Sequence, residues 1–187
     1  MKVNACALTV AALIAYGLKQ HYANARADDL WWILSPTAKL VALFTGVPFT
    51  LQPGEGYLSR ERLFLIETSC AGINFMIAAF VMLVVTLRQR VSRGLSAARV
   101  LGVSLLASYA AAVIANTLRI TIAMWLAAHP AAMPAVSAAA VHRIEGIVVY
   151  FGGLVLLYEL AQWLDRGAYV VGWPAGAVAR RRAEAAP

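Results

Sequence analysis

Each of three apolar segments carries one reactive side chain near its end: Cys70, Arg119 and His142, in chain order. A cysteine thiolate is a nucleophile. An arginine guanidinium can hold a thiolate or the oxyanion of an acyl-transfer intermediate, and a histidine imidazole can accept and return protons. If these segments cross a membrane and end on the same side, the three residues predict a cysteine-dependent transfer site at a membrane surface.

The composition indicates a membrane protein. The chain has 187 residues, of which 61% are hydrophobic and 13% are charged, and its mean hydropathy is +0.71. A soluble domain is about half apolar and about a quarter charged. The net charge of +7 comes from basic residues that cluster beside apolar segments. The positive-inside pattern explains them better than nucleic-acid binding does, so we expect the lipid bilayer as a partner and no nucleic acid.

Five apolar segments predict an all-α, polytopic membrane bundle of about five helices (four to six). About 20 residues of helix cross a hydrocarbon core of about 30 Å, and segments this long are helices rather than barrel strands. We interpret the first segment as a retained helix and not a signal peptide. The segments cover residues 3–18, 30–49, 71–87, 100–126 and 144–164.

The distribution of Arg and Lys predicts the orientation. The loop 88–99 carries four arginines and no acidic residue, and the tail is also rich in arginine, so both should be cytoplasmic. Residues 127–141 contain no Lys or Arg and should lie outside. Residues 1–165 are therefore predicted to be one transmembrane domain with an outward-facing site, and residues 166–187 a basic cytoplasmic tail. Cys70 and His142 then share the outer side.

The second segment leaves the front of the chain open, because Pro36 and Lys39 both disfavour a straight spanning helix. We favour five spans, with the lysine snorkelling to the surface, over a four-span alternative in which this segment lies along the membrane. Residues 50–67 are expected to form an outer loop, with a turn at 53–56 and a short extended piece at 62–66 leading to the cysteine.

Cys70 directly precedes its predicted helix. Free backbone N–H groups and the positive end of the helix dipole would favour its thiolate form. Gly72 would let a substrate backbone approach closely. The structural alternative for Cys70 is a small residue at a helix start, and Cys6, inside the first segment, is interpreted as packing only.

Arg119 lies seven residues before the end of the fourth segment, roughly 10 Å along the helix. A charge at that depth costs on the order of 2 kcal/mol or more unless it is paired or hydrated. Asn116, one turn earlier on the same face, is expected to help hold it. The alternative is an arginine that snorkels to the outer headgroups.

His142 is predicted at the start of the fifth helix, where it would act as general acid and base. Glu145 would orient it or interact with the helix dipole. His129 is the rival histidine, in a predicted loop. The cysteines and histidines are scattered along the sequence, so we expect no metal and no other cofactor.

The ordered set Cys70-Ala71-Gly72, Asn116 through Arg119, and His142 resembles the exosortase/archaeosortase family. The short length and the Asn-Phe-Met-Ile-Ala run at 74–78 look most like the exosortase K subgroup. The resemblance covers residues 30–164, although the chain is shorter than typical exosortases and has fewer predicted helices.

The resemblance implies a membrane cysteine transpeptidase or protease in a bacterial inner membrane. Its substrates would be exported proteins with a C-terminal sorting signal, which combines a short motif, a transmembrane helix and a basic cluster. Cys70 would form a thioester and release the helix, Arg119 would stabilise an oxyanion or thiolate, and His142 would handle protons. An acceptor nucleophile would then resolve the intermediate.

Two other readings stay open from the sequence. A non-catalytic membrane assembly or transport component would not need Cys70, although there are too few intramembrane charges to suggest an ion path. A hydrolase would use water as the acceptor, and it shares the acyl-enzyme step with a transpeptidase.

Overall fold

The computed structural model describes residues 2–61, 64–91, 96–129 and 138–171. For residues 2–4, 88–91, 138–142 and 165–171 it describes the backbone and not the side chains. This part of the chain is mostly helical and contains five helices, as the sequence predicts. The helices are α1 (Lys2–Asn24), α2 (Trp31–Thr45), α3 (Ile73–Val91), α4 (Ala97–Ala128) and α5 (Ala138–Val171).

Within the described residues, three helical stretches are long and apolar enough to cross a membrane: Thr68–Leu87, Ala97–Ala128 and Arg143–Leu164. They correspond to the third, fourth and fifth predicted segments. Neither the first predicted segment, in α1, nor the second, in α2, is among them. The 15 residues of α2 extend only about 22 Å at 1.5 Å per residue, which is shorter than the hydrocarbon core. The structure therefore gives no support to a crossing by α2.

The helix ends differ most from the predicted segments at α1, which continues to Asn24, and at α5, which begins at Ala138. This helix continues to Val171, past the predicted boundary between domain and tail at residue 165. The remainder of the predicted tail, residues 172–187, lies outside the described residues, as do residues 92–95 of the predicted cytoplasmic loop.

The interior is built around α3 and α4. Helix α3 packs against α1, α4 and α5, and α4 also packs against α1 and α2. A smaller cluster around Phe80 joins α1, α3 and α4. The largest fully buried apolar side chains are Phe80, Leu30, Ile33, Leu34, Ile66, Ile73, Met76 and Ile120. The core thus draws on all five helices and on the end of β3.

Helix α2 contains a proline, and a neighbouring helix supplies the hydrogen bond that the proline cannot donate. Pro36 has no N–H to give to the carbonyl of Trp32, one turn earlier. The hydroxyl of Tyr109 on α4 donates to that carbonyl at 2.7 Å, and the Trp32 and Tyr109 rings stack with centroids 5.9 Å apart. Lys39 is exposed. We call Trp32, Pro36 and Tyr109 the Pro36 junction.

The predicted outer loop is a small antiparallel sheet. Its strands are β1 (Thr50–Gln52), β2 (Gly56–Ser59) and β3 (Phe64–Ile66), paired in that order. The predicted extended piece is present as β3, while Arg62 and Leu63 lie outside the described residues. A Cβ at Gly56 would lie 2.3 Å from the Ile66 carbonyl oxygen, so only glycine fits where β2 meets β3. The sheet leads the chain directly into the Cys70 segment.

Candidate active site

A short turn separates β3 from α3 and carries the candidate nucleophile. Residues Thr68–Cys70 form a 3₁₀ turn, in which the Cys70 amide donates to the Glu67 carbonyl at 2.9 Å. Two residues, Ala71 and Gly72, lie between Cys70 and the first residue of α3. The expectation that Cys70 directly precedes its helix is therefore wrong by two residues, and its own amide is not free.

Gly72 has a conformation that favours glycine. Its φ is +67°, in the left-handed region. A Cβ added there would lie 3.6 Å from the Cγ of Asn116 and 3.7 Å from the hydroxyl of Tyr150. Gly72 therefore lets the chain turn from Cys70 into α3 beside these two side chains. This geometry gives a reason for glycine that does not require the predicted close approach of a substrate backbone.

Asn116 connects the Cys70 turn to α5. Its side chain on α4 is fully buried. The amide nitrogen donates to the backbone carbonyl of Cys70, and the amide oxygen accepts a hydrogen bond from the Tyr150 hydroxyl at 3.0 Å. We expected Asn116 to help hold Arg119. The structure instead shows it bonded to Cys70 and Tyr150, so it fixes the position of the candidate nucleophile.

The Arg119 side chain lies against the thiol. Arg119 is 6% exposed. Its guanidinium interacts electrostatically with Cys70 and Tyr150, and its Cζ lies 5.6 Å from the centre of the Tyr150 ring. It also interacts electrostatically with Glu145. The side chain therefore does not snorkel to the surface but stays among these groups, where a buried charge is stabilised. We call Cys70, Asn116, Arg119 and Tyr150 the Cys70 junction.

Helix α5 contributes one predicted and one unpredicted residue. Glu145, predicted to support the histidine, is 7% exposed and interacts electrostatically with Arg119. Tyr150 was not predicted. Its ring stacks on Phe75 of α3 with centroids 5.4 Å apart, and a Cβ at Gly153 would lie 3.3 Å from the same phenylalanine. A buried tyrosine hydroxyl needs a hydrogen-bond partner, and Tyr150 finds it in Asn116.

The two candidate histidines, His142 and His129, are associated with different helices. His142 is not at the start of α5, as predicted, but four residues after its first residue, Ala138, and one helical turn before Glu145. Its side chain is outside the described residues. His129 is the C-terminal cap residue of α4 and is exposed. Its ring lies on Trp125 with centroids 4.8 Å apart, and its Nδ1 lies 2.9 Å from the Trp125 carbonyl oxygen. The described contacts of His129 are thus with the last turn of its own helix.

Helix α1 supports the Cys70 segment on both sides, which the sequence did not indicate. Lys19 Nζ donates to Asn74 Oδ1 at 2.8 Å, and the Tyr22 hydroxyl donates to the Thr68 carbonyl at 3.5 Å. Cys6, by contrast, is exposed on α1 instead of packed, and both cysteines are free.

The site thus joins a thiol, a guanidinium, a primary amide, a phenol and a carboxylate from three separate parts of the chain. Such a set can hold a thiolate and stabilise charge that develops beside it. The chain has no matching family model, curated protein or solved structure.

Proposed function

We propose that the protein is a membrane-embedded cysteine transpeptidase or protease of the exosortase kind. It would cleave the C-terminal sorting signal of exported proteins through a thioester at Cys70. The observation that carries the proposal is that the buried Arg119 guanidinium interacts electrostatically with buried Cys70, whose backbone carbonyl accepts a hydrogen bond from Asn116 on the same helix as Arg119. A thiol next to a buried cation is the arrangement expected of a reactive cysteine.

The membrane location is supported by the apolar surface. A soluble monomer rarely exposes a contiguous apolar patch larger than a few hundred Å². Here α4 and α5 expose large apolar side chains along their length, while polar side chains such as Ser104, Ser108 and Thr117 are buried. The exposed apolar residues of α5 are Ile144, Ile147, Val148, Phe151, Val155, Leu156, Leu160, Trp163 and Leu164.

The site is expected on the outer face. Cys70 precedes α3, Arg119 lies in the second half of α4 and Glu145 in the first part of α5, so successive antiparallel crossings bring them to one end. The arginine-rich connection between α3 and α4 belongs to the opposite end, which the positive-inside pattern assigns to the cytoplasm. Exported substrates would therefore meet the site on the outer side of the membrane.

In the first half of the reaction, the Cys70 sulfur attacks the carbonyl carbon of the scissile peptide bond. Arg119 holds the thiolate before attack and stabilises the oxyanion of the tetrahedral intermediate. Asn116 keeps the backbone of Cys70 in place, which fixes the direction of the sulfur toward the substrate. Collapse of the intermediate breaks the C–N bond and leaves a thioester.

The leaving amine must gain a proton as the C–N bond breaks. His142 is the proposed donor, because it stands one turn before Glu145 on the helix that supplies Tyr150 to the junction. The released product is the membrane helix with its basic cluster. An acceptor nucleophile then attacks the thioester, with His142 taking the proton of the acceptor.

The test is an analysis of the processed C-terminus. An exported reporter carrying a short motif, an apolar helix and an arginine cluster would be expressed with the wild-type protein or with Cys70→Ser. We expect the helix to be removed only with the wild type. Mass analysis then separates the two acceptors: added mass shows transfer, and a bare carboxylate shows hydrolysis. Equal removal of the helix by both forms would contradict the proposal.

A further inference from the structure

The serine beside the candidate nucleophile connects it to a carboxylate. Ser69 Oγ lies 2.8 Å from Glu67 Oε1 and 3.8 Å from Cys70 Sγ. A serine hydroxyl has one proton and two lone pairs, whereas an ionised carboxylate can only accept. Ser69 therefore donates its proton to Glu67. In the contact between Ser69 and Cys70, the thiol must then be the donor.

We propose that Ser69 and Glu67 take up the proton of Cys70 when the sulfur becomes a nucleophile. The inference rests on the proposed function and adds the first proton transfer to it. The S–H bond breaks and an O–H bond forms at Ser69 Oγ, while the former Ser69 proton moves to Glu67 Oε1. Sulfur keeps the electron pair, so a thiol and a carboxylate become a thiolate and a carboxylic acid.

After this transfer Glu67, Ser69 and Cys70 remain hydrogen-bonded to one another, because the donor and the acceptor of each hydrogen bond exchange roles. Glu67 then donates to Ser69, and Ser69 donates to the thiolate. The buried Arg119 guanidinium already interacts electrostatically with Cys70. Charge-assisted hydrogen bonds are the strong ones, so the thiolate is stabilised from two sides. The same path runs in reverse when the thiol form is restored.

The path leads from the interior to water. Cys70 is buried, whereas Ser69 and Glu67 are exposed. Glu67 lines an open cavity of about 340 Å³ together with Arg26 and Glu55, so a proton on its carboxylate can exchange with solvent. Among the side chains that the structure describes, the ionisable groups that interact with this site from α4 and α5 are Arg119, Tyr150 and Glu145.

This assignment divides the proton transfers between two places. The relay through Ser69 removes the thiol proton on the side of the β3–α3 turn. His142 on α5 is then left with the leaving amine and the acceptor. Ser69 touches the reacting sulfur, and Glu67 acts through Ser69.

The first test measures the hydrogen bond of the thiol. Cys6→Ser leaves Cys70 as the only thiol of the full-length protein, and its S–H stretching band can be followed by infrared spectroscopy in detergent. We expect Ser69→Ala to move the band to the higher frequency of a thiol without an acceptor. Ser69→Thr retains a hydroxyl and should leave the band in place. An unchanged band in Ser69→Ala would overturn the relay.

The second test asks whether removing the negative charge of Glu67 raises or lowers the reactivity of Cys70. In the Cys6→Ser background, iodoacetamide alkylation of Cys70 at slightly acidic pH reports its reactivity by mass shift. If Glu67 acted only through its negative charge, Glu67→Gln would favour the thiolate and raise the rate. The relay predicts the opposite, a decrease of about fivefold, because a glutamine amide can accept the Ser69 hydrogen bond but cannot take up the proton. Glu55→Gln, in the same cavity, should change little. A rate that is unchanged or raised in Glu67→Gln would contradict the relay.

Both tests work without a substrate. If substrate is processed through Cys70 but these tests fail, only the relay is contradicted. If the tests succeed but no Cys70-dependent processing is found, the relay is supported and the proposed function is contradicted.

Discussion

The Pro36 junction and the Cys70 junction solve the same backbone problem. In each, a side chain of α4 donates a hydrogen bond to a backbone carbonyl of another element. Tyr109 bonds the Trp32 carbonyl, which the proline leaves without its helical donor, and Asn116 bonds the Cys70 carbonyl in the turn before α3. In an apolar surrounding a carbonyl without a donor costs several kcal/mol. Both contacts therefore hold a neighbouring element against α4.

The surroundings of the two contacts differ. The described neighbours of the Tyr109 hydrogen bond include a stacked tryptophan. Around the Asn116 hydrogen bond lie a thiol, a guanidinium and a buried carboxylate. A polar side chain within an apolar helix is thus no sign of activity by itself. What marks a candidate active site is a nucleophile that shares the junction with charged groups.

The largest expected difference between the junctions comes from removing the nucleophile. Cys70→Ala should abolish processing of a cognate substrate while the protein still accumulates in the membrane, because the thioester cannot form. Cys6→Ala is the matched control and should keep full activity. Processing is measured by the size shift of a tagged substrate. Full activity in Cys70→Ala would reduce the Cys70 junction to a structural contact.

The choice of histidine gives the next effect. His142→Gln should lower turnover by about 100-fold or more, the usual contribution of a general acid or base. His129→Gln should retain activity, because the described contacts of His129 are with Trp125. The processing rates of the two variants would be compared at equal amounts in the membrane. The reverse pattern would show that His129 is the proton donor.

Arg119→Lys tests whether the guanidinium is needed beyond its charge. A lysine ammonium cannot present two N–H groups in the fixed plane of a guanidinium, so we expect a loss of about 100-fold in processing. Arg99→Lys, at an exposed position on the same helix, is the control. Wild-type turnover in Arg119→Lys would assign the residue a structural role.

Asn116→Ala should impair both stability and activity. It removes two hydrogen bonds and leaves the Cys70 carbonyl and the Tyr150 hydroxyl without their partner, at a cost of about 1–3 kcal/mol in the free energy of unfolding. Turnover should fall by about tenfold, because the turn that carries the sulfur loses its attachment to α4. Thermal unfolding in detergent and the processing rate measure the two effects. A stable variant with normal turnover would contradict the positioning role.

Tyr109→Phe should show the smallest effect and complete the comparison. The ring remains stacked on Trp32, but the hydrogen bond to its carbonyl is lost, so we expect about 1 kcal/mol lower stability. The processing rate of the folded protein should not change. A large loss of activity with normal thermal stability would show that the Pro36 junction has a catalytic role after all.

The sequence predicted the helices well because their signals are long and local. Apolar runs over 15 or more residues fix the number and approximate ends of α1 to α5. The small sheet was missed, apart from β3, because its strands contain only three or four residues each and carry little periodic signal. The proposed crossing by α2 overestimated the length of an apolar run that a 3₁₀ turn and a glycine cap shorten to 15 helical residues.

The candidate site was only partly accessible from the sequence. Cys70, Asn116, Arg119 and Glu145 stood out as polar residues in or beside apolar segments, and the fold brings them together. Their partners could not be assigned, since the bond from Asn116 to the Cys70 carbonyl joins residues 46 positions apart. Tyr150 and the pair formed by Glu67 and Ser69 depend on a helix contact and on the local turn, respectively. Neither leaves a distinctive pattern in the sequence.

The central claim is that Cys70 carries an acyl group, and the most direct test is to trap it. A tagged substrate would be co-expressed with the wild type or Cys70→Ala, and the membranes searched for an enzyme–substrate adduct. The account predicts a covalent adduct that forms only with the wild type, maps to Cys70 and is released by hydroxylamine, as a thioester is. Cleavage of the substrate to the same extent by Cys70→Ala, without a hydroxylamine-sensitive adduct, would contradict it.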